Sequence, residues 1–264
     1  MPAAAAASSS YSPGRRLLLL GASGETGCQA LLAALASPSV SHVFSFGRSA
    51  PAVDAVHSDR FTHVPLDFER LLSEGDTPGA EAKKLHDADA DAVLVALGAK
   101  MMRDGKARFE RTDREYVLAA AKAARREDKP DQRVLLISAV GASSSSMFMY
   151  TRSKGLTEEG LAAMGYAETV LFHPGIIAIP GGRSDANLVE RAFTSVSNLF
   201  ATFSNSLQVP TPTLGSAMVN AALYPPEALK VPQYGQGVVL KGKPAWLVGN
   251  AAAIRLAGES SGKL

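Results

Sequence analysis

Apolar residues in this chain gather in short, nearly unbroken runs separated by longer stretches in which they recur every three or four positions. The short runs cover residues 16–20, 42–46, 61–66, 92–97, 133–138 and 169–172. Each predicts a β-strand, and their lack of alternation suits strands covered on both faces. The longer stretches predict helices over residues 25–36, 107–126 and 147–164, with Thr77-Pro78 as N-cap and first-turn proline of another. In the 107–126 stretch, Phe109, Tyr116, Ala120 and Ala124 fall on one side, and Arg125 and Arg126 sit near the negative end of the helix dipole. Strands alternating with helices predict parallel strands joined by helical crossovers, an α/β fold with a Rossmann-like doubly wound parallel sheet.

Beyond Pro174-Gly175 the pattern weakens into connections rich in Pro, Gly, Ser and Thr around a helical stretch at 187–203. This predicts a small substrate-side lobe over 174–235 within a single domain spanning 15–264, preceded by a flexible tail at 1–14. The tail is rich in Ala and Ser and free of acids, and reads either as organelle targeting or as a plain extension. The longest apolar runs fall well short of the roughly 20 residues a spanning helix needs. Charge narrows the partners: 27 basic against 25 acidic residues give +2, with no cluster of Lys or Arg, so no nucleic-acid partner is expected. The lone Cys28 forms no intramolecular disulfide, fits a reducing compartment, and reads as a buried structural thiol. The five histidines include no pair at metal-ligand spacing, and no Gly-x-Ser-x-Gly turn is present, so neither a metal site nor hydrolase chemistry is expected.

The segment Gly21-Ala-Ser-Gly24-Glu-Thr-Gly27 passes from a predicted strand into a predicted helix, the setting a dinucleotide loop requires. Gly21 permits the tight turn, Gly24 lets backbone approach a pyrophosphate, and Gly27 lets helix and strand pack closely. An acid at the end of the second strand would bind a ribose 2′-hydroxyl; here Phe46-Gly47-Arg48 places Arg48 21 residues beyond Gly27. A guanidinium there pairs with a 2′-phosphate, which points to NADP(H) over NAD(H), although a solvated strand-end arginine is the plainer reading. Asp67, after the third strand, is expected near adenine and Gly98, after the fourth, against ribose, though both are also common turn residues.

Tyr150 and Lys154 stand one helical turn apart, and Ser138 ends the preceding strand 12 residues before Tyr150. Strand carboxyl ends line the ligand crevice of an open parallel sheet, so the three are expected to meet beside a nicotinamide. Lys154 favours the Tyr150 phenolate, making the tyrosine an acid/base, while Ser138 orients and polarises a carbonyl. His173, before Pro174-Gly175, reads either as a residue lining the nicotinamide end of the cleft or as a satisfied core histidine. The plain alternative for the pair is an amphipathic helix with a half-buried Tyr and a snorkelling Lys.

Taken together, Gly21-Ala-Ser-Gly-Glu-Thr-Gly27, Asp113-Arg-Glu-Tyr-Val-Leu118, Tyr150-x-x-x-Lys154 and Pro174-Gly175-Ile176 resemble a small group of atypical short-chain dehydrogenase/reductases. That group includes the animal oxidoreductase-like Tat-interacting protein and fungal mitochondrial relatives. The likeness covers roughly residues 16–255. It implies one Rossmann-like domain, NADPH along the loop and Arg48, and a Ser138, Tyr150, Lys154 active site. For the fungal members it also implies peripheral association with the mitochondrial outer membrane; a cytoplasmic location is the alternative. His173 departs from the group, where many relatives carry Arg before Pro-Gly, and the N-terminal extension is longer than usual. The expected cofactor-binding set is Gly21, Ser23, Gly24, Glu25, Thr26, Gly27, Arg48, Asp67, Gly98, Tyr150, Lys154, Pro174 and Ile176. The expected function is NADP(H)-dependent oxidoreduction of a small carbonyl or alcohol; the alternative is an NADPH-binding regulator or scaffold that serves a protein partner.

Overall fold

A computed structural model describes residues 14–52, 54–75, 78–99, 101–180 and 208–259. The tail at 1–13, Thr77 and the helical stretch expected at 187–203 lie outside the described residues.

The run of four leucines explains the architecture. In the first strand, β1 (Arg15–Leu20), successive side chains point to opposite faces. Leu17 and Leu19 enter one apolar cluster with Ala30, Leu31 and Met218, while Leu18 and Leu20 enter another with Phe46, Leu71, Leu85 and Val117. All four are buried, so β1 has a core on each side. Helix α1 (Glu25–Ala36) follows, then β2 (Val40–Gly47), β3 (Phe61–Pro65), α2 (Phe68–Glu74), α3 (Ala80–Asp87) and β4 (Ala92–Val95). Next come α4 (Met101–Asp104), α5 (Lys106–Glu110), a π-turn (Arg111–Glu115), α6 (Tyr116–Ala124), β5 (Arg133–Ile137), α7 (Met149–Ala162) and β6 (Glu168–His173). The six strands pair in parallel in the order β3-β2-β1-β4-β5-β6, the doubly wound sheet that the alternation predicts.

Four features depart from the sequence reading. The helix expected over 107–126 is interrupted by the π-turn. There the Asp113 carbonyl accepts from Thr157 Oγ1 at 3.1 Å, and its carboxylate is engaged outside the helix, so one residue's worth of regular pairing is lost. Helix α3 starts at Ala80, after Pro78 and Gly79, and takes its cap from Glu74, whose carboxylate accepts from the N–H groups of Glu81 and Ala82 at 2.8 and 2.9 Å. Of the stretch 174–235, only 174–180 and 208–235 are among the described residues. β7 (Ile176–Ala178) and β8 (Gln208–Pro210) form a separate parallel pair, and the helix Thr211–Leu223 packs into the main core against α1. A Cβ on Gly215 would lie 2.6 Å from the Ala30 nitrogen, so those two helices meet backbone to backbone. Finally, β9 (Gln236–Leu240) and β10 (Lys243–Gly249) widen the sheet to eight strands, β10 parallel to β6 and β9 antiparallel at the edge.

Buried Arg133 anchors the end of the helix Thr211–Leu223 at the opposite end of the sheet from the phosphate loop. It donates to the carbonyls of Ala221 and Tyr224 and lies 3.5 Å from the Glu168 carboxylate. Among the described residues no helix is long and apolar enough to cross a membrane.

Candidate functional site

The glycine loop has the strained geometry its sequence requires. Gly21 has φ +89°, and a Cβ there would sit 2.6 Å from the Ala96 carbonyl. A Cβ on Gly27 would stand 2.0 Å from the Gly21 oxygen, so the start of α1 lies directly on the turn. The Gly24 N–H closes the turn onto the Gly21 carbonyl at 2.9 Å, and the Gly24 carbonyl accepts the first helical bond, from Cys28, at 2.8 Å. Gly24 is the N-cap and supplies no side chain, so the N-terminus of α1, the positive end of its dipole, has no side-chain cap among the described residues. Ser23, Gly24 and Glu25 are exposed and Thr26 is half-buried. Cys28 is half-buried; burial, then the Glu25 charge, pushes its thiol above the ordinary range.

Arg48 follows the last residue of β2. A cavity of about 70 Å³ is lined by Gly21, Ser23, Arg48, Ser49, His63 and Phe68 among others, so the fold brings loop and arginine together. Arg48 is exposed and pairs with no acid among the described residues. A larger cleft of about 980 Å³ continues past it, bounded by Asp67, Phe68, Lys84, Arg108, Arg111 and Tyr116. Asp67 lies here, but one of its oxygens is occupied as the N-cap of α2, accepting from Glu69 and Arg70 N–H at 3.0 and 3.1 Å. Two of the cleft's cations are already neutralised, Arg111 by Glu69 and Glu115 and Lys84 by Glu81.

Lys154 is buried, with Nζ 2.8 Å from Asp113 Oδ1. The other Asp113 oxygen accepts from Ala99 N–H at 2.6 Å, and a Cβ on Gly98 would touch Asp113 at 3.4 Å. The π-turn thus places one carboxylate between the loop after β4 and the lysine. Burial by itself lowers the lysine pKa, but the charge of Asp113, then Tyr150, the Asp113 hydrogen bond and Glu158 outweigh it and leave Lys154 raised. Tyr150, in the first turn of α7, stacks on Phe109 at 5.2 Å between ring centres and remains 36 % exposed.

Ser138, just past β5, is buried and donates its hydroxyl hydrogen to Glu158. His173, the last residue of β6, places Nε2 2.8 Å from the same Glu158 oxygen. Tyr150, Lys154 and Glu158 recur every four residues along one face of α7, so the serine-histidine-glutamate group adjoins the lysine. The Ser138 proton therefore points at a buried acid rather than outward, unlike the expected carbonyl donor. The next turn is tied down by Val140 N–H bonding the Pro174 carbonyl at 3.1 Å and Gly175 N–H bonding Asn250 Oδ1 at 3.1 Å. Pro174 is buried, and Ile176 opens β7 half-buried.

Sequence reasoning missed the roles of Asp113 and Glu158. Asp113 stands inside one of the quoted motifs and Glu158 lies four residues after Lys154, so both were visible as residues. Their burial, which makes them matter, was not. Among the described residues no group of three or more His, Cys, Asp or Glu is placed to hold a metal ion.

No protein-family model matches the chain. It is 32 % identical over 216 residues to the mitochondrial protein fmp52 of Emericella nidulans, covering 78 % of this chain and 86 % of that one. To the protein HTATIP2 of Rattus norvegicus it is 28 % identical over 213 residues, covering 80 % and 82 %. Among solved structures, a short-chain dehydrogenase family protein of Francisella tularensis superposes with a TM-score of 0.58 at 11 % identity, over 92 % of this chain and 99 % of that one. The Bordetella bronchiseptica enzyme WbmH, solved with NAD+, gives 0.56 at 14 % identity over 79 % and 71 %. At these identities the structural likeness establishes the fold.

Proposed function

Since the chain belongs to the Fmp52 family and has the short-chain dehydrogenase/reductase fold, we propose that it is an NADP(H)-dependent oxidoreductase acting on a small carbonyl or alcohol. The observation that carries the reading is the shared cavity of the glycine loop and Arg48, a guanidinium with no acidic partner among the described residues, beside a helix N-terminus with no side-chain cap among them. The residues fit a dinucleotide: a Cβ would fill the cradle at Gly21 and Gly27, and Gly24 leaves the helix end open. Gly21, Ser23, Gly24, Glu25, Thr26 and Gly27 would hold the pyrophosphate, Arg48 the 2′-phosphate, Asp67 the adenine side through the oxygen that does not cap α2, and Gly98 and Lys154 the ribose. Pro174 and Ile176 would border the nicotinamide end.

When bound, nicotinamide supplies or accepts the hydride. Tyr150 Oη moves the proton to or from the substrate oxygen, and the neighbouring ammonium of Lys154, held charged by Asp113, favours the phenolate. Ser138 fixes the substrate oxygen next to Tyr150. With its own proton given to Glu158 it does so as an acceptor, which suits an alcohol better than a carbonyl. The fungal relatives' mitochondrial name supports a mitochondrial location for this chain, with peripheral attachment to the outer membrane as the resemblance implies.

A second reading has its own support. Met147 and Phe148 are 93 % and 78 % exposed beside Tyr150, a surface that suits a protein partner and a role as NADPH-dependent regulator or scaffold. The experiment is a thermal-shift titration with NADPH and NADH, followed by NADPH oxidation across a panel of small carbonyls and the reverse reaction with alcohols. For the enzyme, Tyr150→Phe keeps the NADPH-induced shift and loses roughly 10²-fold or more of its turnover. Wild-type protein that binds NADPH and turns over nothing in the panel would favour the scaffold.

A further inference from the structure

The cavity that Arg48 lines holds a buried polar atom with no hydrogen-bond partner among the described residues. Ser45 of β2 and His63 of β3 are paired in register, and Ser45 Oγ lies 2.8 Å from His63 Nδ1. Ser45 is completely buried, and that ring nitrogen is the partner its hydroxyl has among the described residues. A buried hydroxyl without an acceptor is costly, so its proton goes to Nδ1, which fixes the tautomer with hydrogen on Nε2. Burial also lowers the His63 pKa, favouring this neutral ring. Yet Nε2 is itself buried and makes no hydrogen bond among the described residues. The protein thus carries an unmet N–H donor in the wall of the cavity that Arg48, Ser49, Ser23 and Gly21 also line.

What would satisfy that donor is an acceptor oxygen, and the Arg48 guanidinium sharing its cavity, which meets no acid among the described residues, favours an anionic one. About 70 Å³ is too small for a nucleoside, but a water's share of the liquid is about 30 Å³, so the space suits a phosphate-sized group. Three of the lining residues, Ser23, Arg48 and Ser49, are exposed, so admitting such a group displaces surface side chains rather than core.

We propose that His63 is a cofactor-selectivity residue, its Nε2–H donating to an oxygen of the 2′-phosphate of NADP(H) while Arg48 takes the charge. The inference rests on the NADP(H) reading above and adds a neutral donor from β3 to the arginine that follows β2. Because the ring is neutral, the contribution is a directional hydrogen bond to a phosphate oxygen and not a charge interaction.

The test is calorimetric binding of NADPH, NADH, adenosine 2′,5′-bisphosphate and adenosine 5′-monophosphate to the full chain and to His63→Leu and His63→Gln, with melting temperatures recorded in parallel. His63→Leu should weaken NADPH and the bisphosphate about 10-fold, or about 1.4 kcal/mol, while NADH and the monophosphate change less than about twofold. His63→Gln, which keeps an N–H, should recover most of the loss. In 15N spectra of the wild type, NADPH and the bisphosphate should shift the His63 Nε2 signal and NADH should not. Equal weakening of all four ligands would make His63 a structural support and overturn the proposal, as would unchanged NADPH affinity in His63→Leu. A wild type that does not discriminate NADPH from NADH would instead overturn the NADP(H) reading, and this inference with it.

Discussion

Asp113 is the residue whose removal tests the site most directly without a known substrate. Its carboxylate accepts from Lys154 Nζ at 2.8 Å and from Ala99 N–H at 2.6 Å, and both charged side chains are less than a tenth exposed. Asp113→Ala strands a buried ammonium and a backbone donor together. Breaking a buried pair by deleting one partner costs about 3–5 kcal/mol, and the orphaned N–H lies within the same gap, so we take that range for the whole. For a chain of this length each kcal/mol lowers Tm by about 2–4 °C, so the drop should be roughly 6–20 °C. Urea titration of wild type, Asp113→Ala, Lys154→Met and the double variant provides the cycle. If the two groups act as a pair, the double variant is more stable than the sum of the single losses predicts, by about 2 kcal/mol or more. pH gives a second reading. Lys154 is raised in the folded protein above its ordinary 10.5, so the stabilisation it contributes is complete below 10.5 and is lost as pH rises through the higher folded value. The stability gap between wild type and Asp113→Asn should therefore hold steady from neutrality upward and narrow above pH 10.5. A loss under about 1 kcal/mol in Asp113→Ala, or strictly additive losses in the cycle, would refute the reasoning.

Two further expectations follow from the loop and its helix. Gly27→Ala places a methyl 2.0 Å from the Gly21 oxygen, so the turn and the start of α1 must part; overpacking of this kind costs about 1–3 kcal/mol, and the NADPH-induced thermal shift should vanish with it, as circular-dichroism melting with and without cofactor would register. The Cys28 thiol, pushed up by burial and then by Glu25, should react with a disulfide reagent at pH 7 well below the rate of free cysteine; Glu25→Gln should speed it only modestly because burial is the larger cause, and a rate equal to free cysteine would contradict both.

The short apolar runs and the 3.6-residue periodicity came from interactions between near neighbours, so the six parallel strands, α1 and the position of the glycine loop were readable from the chain. The glycine spacing was equally informative, because Gly21 and Gly27 are constrained by backbone only a few residues away. β9 and β10 escaped notice since their half-exposed residues carry neither a clean alternation nor a continuous apolar run, and they are strands because β6 offers an edge to pair with. The helix Thr211–Leu223, placed in a substrate-side lobe by the composition around it, belongs to the core because Gly215 lets it reach α1.

The sequence by itself determined the class of fold, the loop and which residue types could do chemistry, for these depend on local spacing. Tertiary structure decided how those residues are engaged. It turned Asp113 into the partner of Lys154, directed the Ser138 proton to Glu158 and left His63 Nε2 without an acceptor among the described residues. Each outcome depends on burial and on contacts between residues 15 to 44 positions apart, as in Ser138 with Glu158 and Thr157 with Asp113 or His63 beside Arg48, and no local pattern encodes which charges are removed from water together.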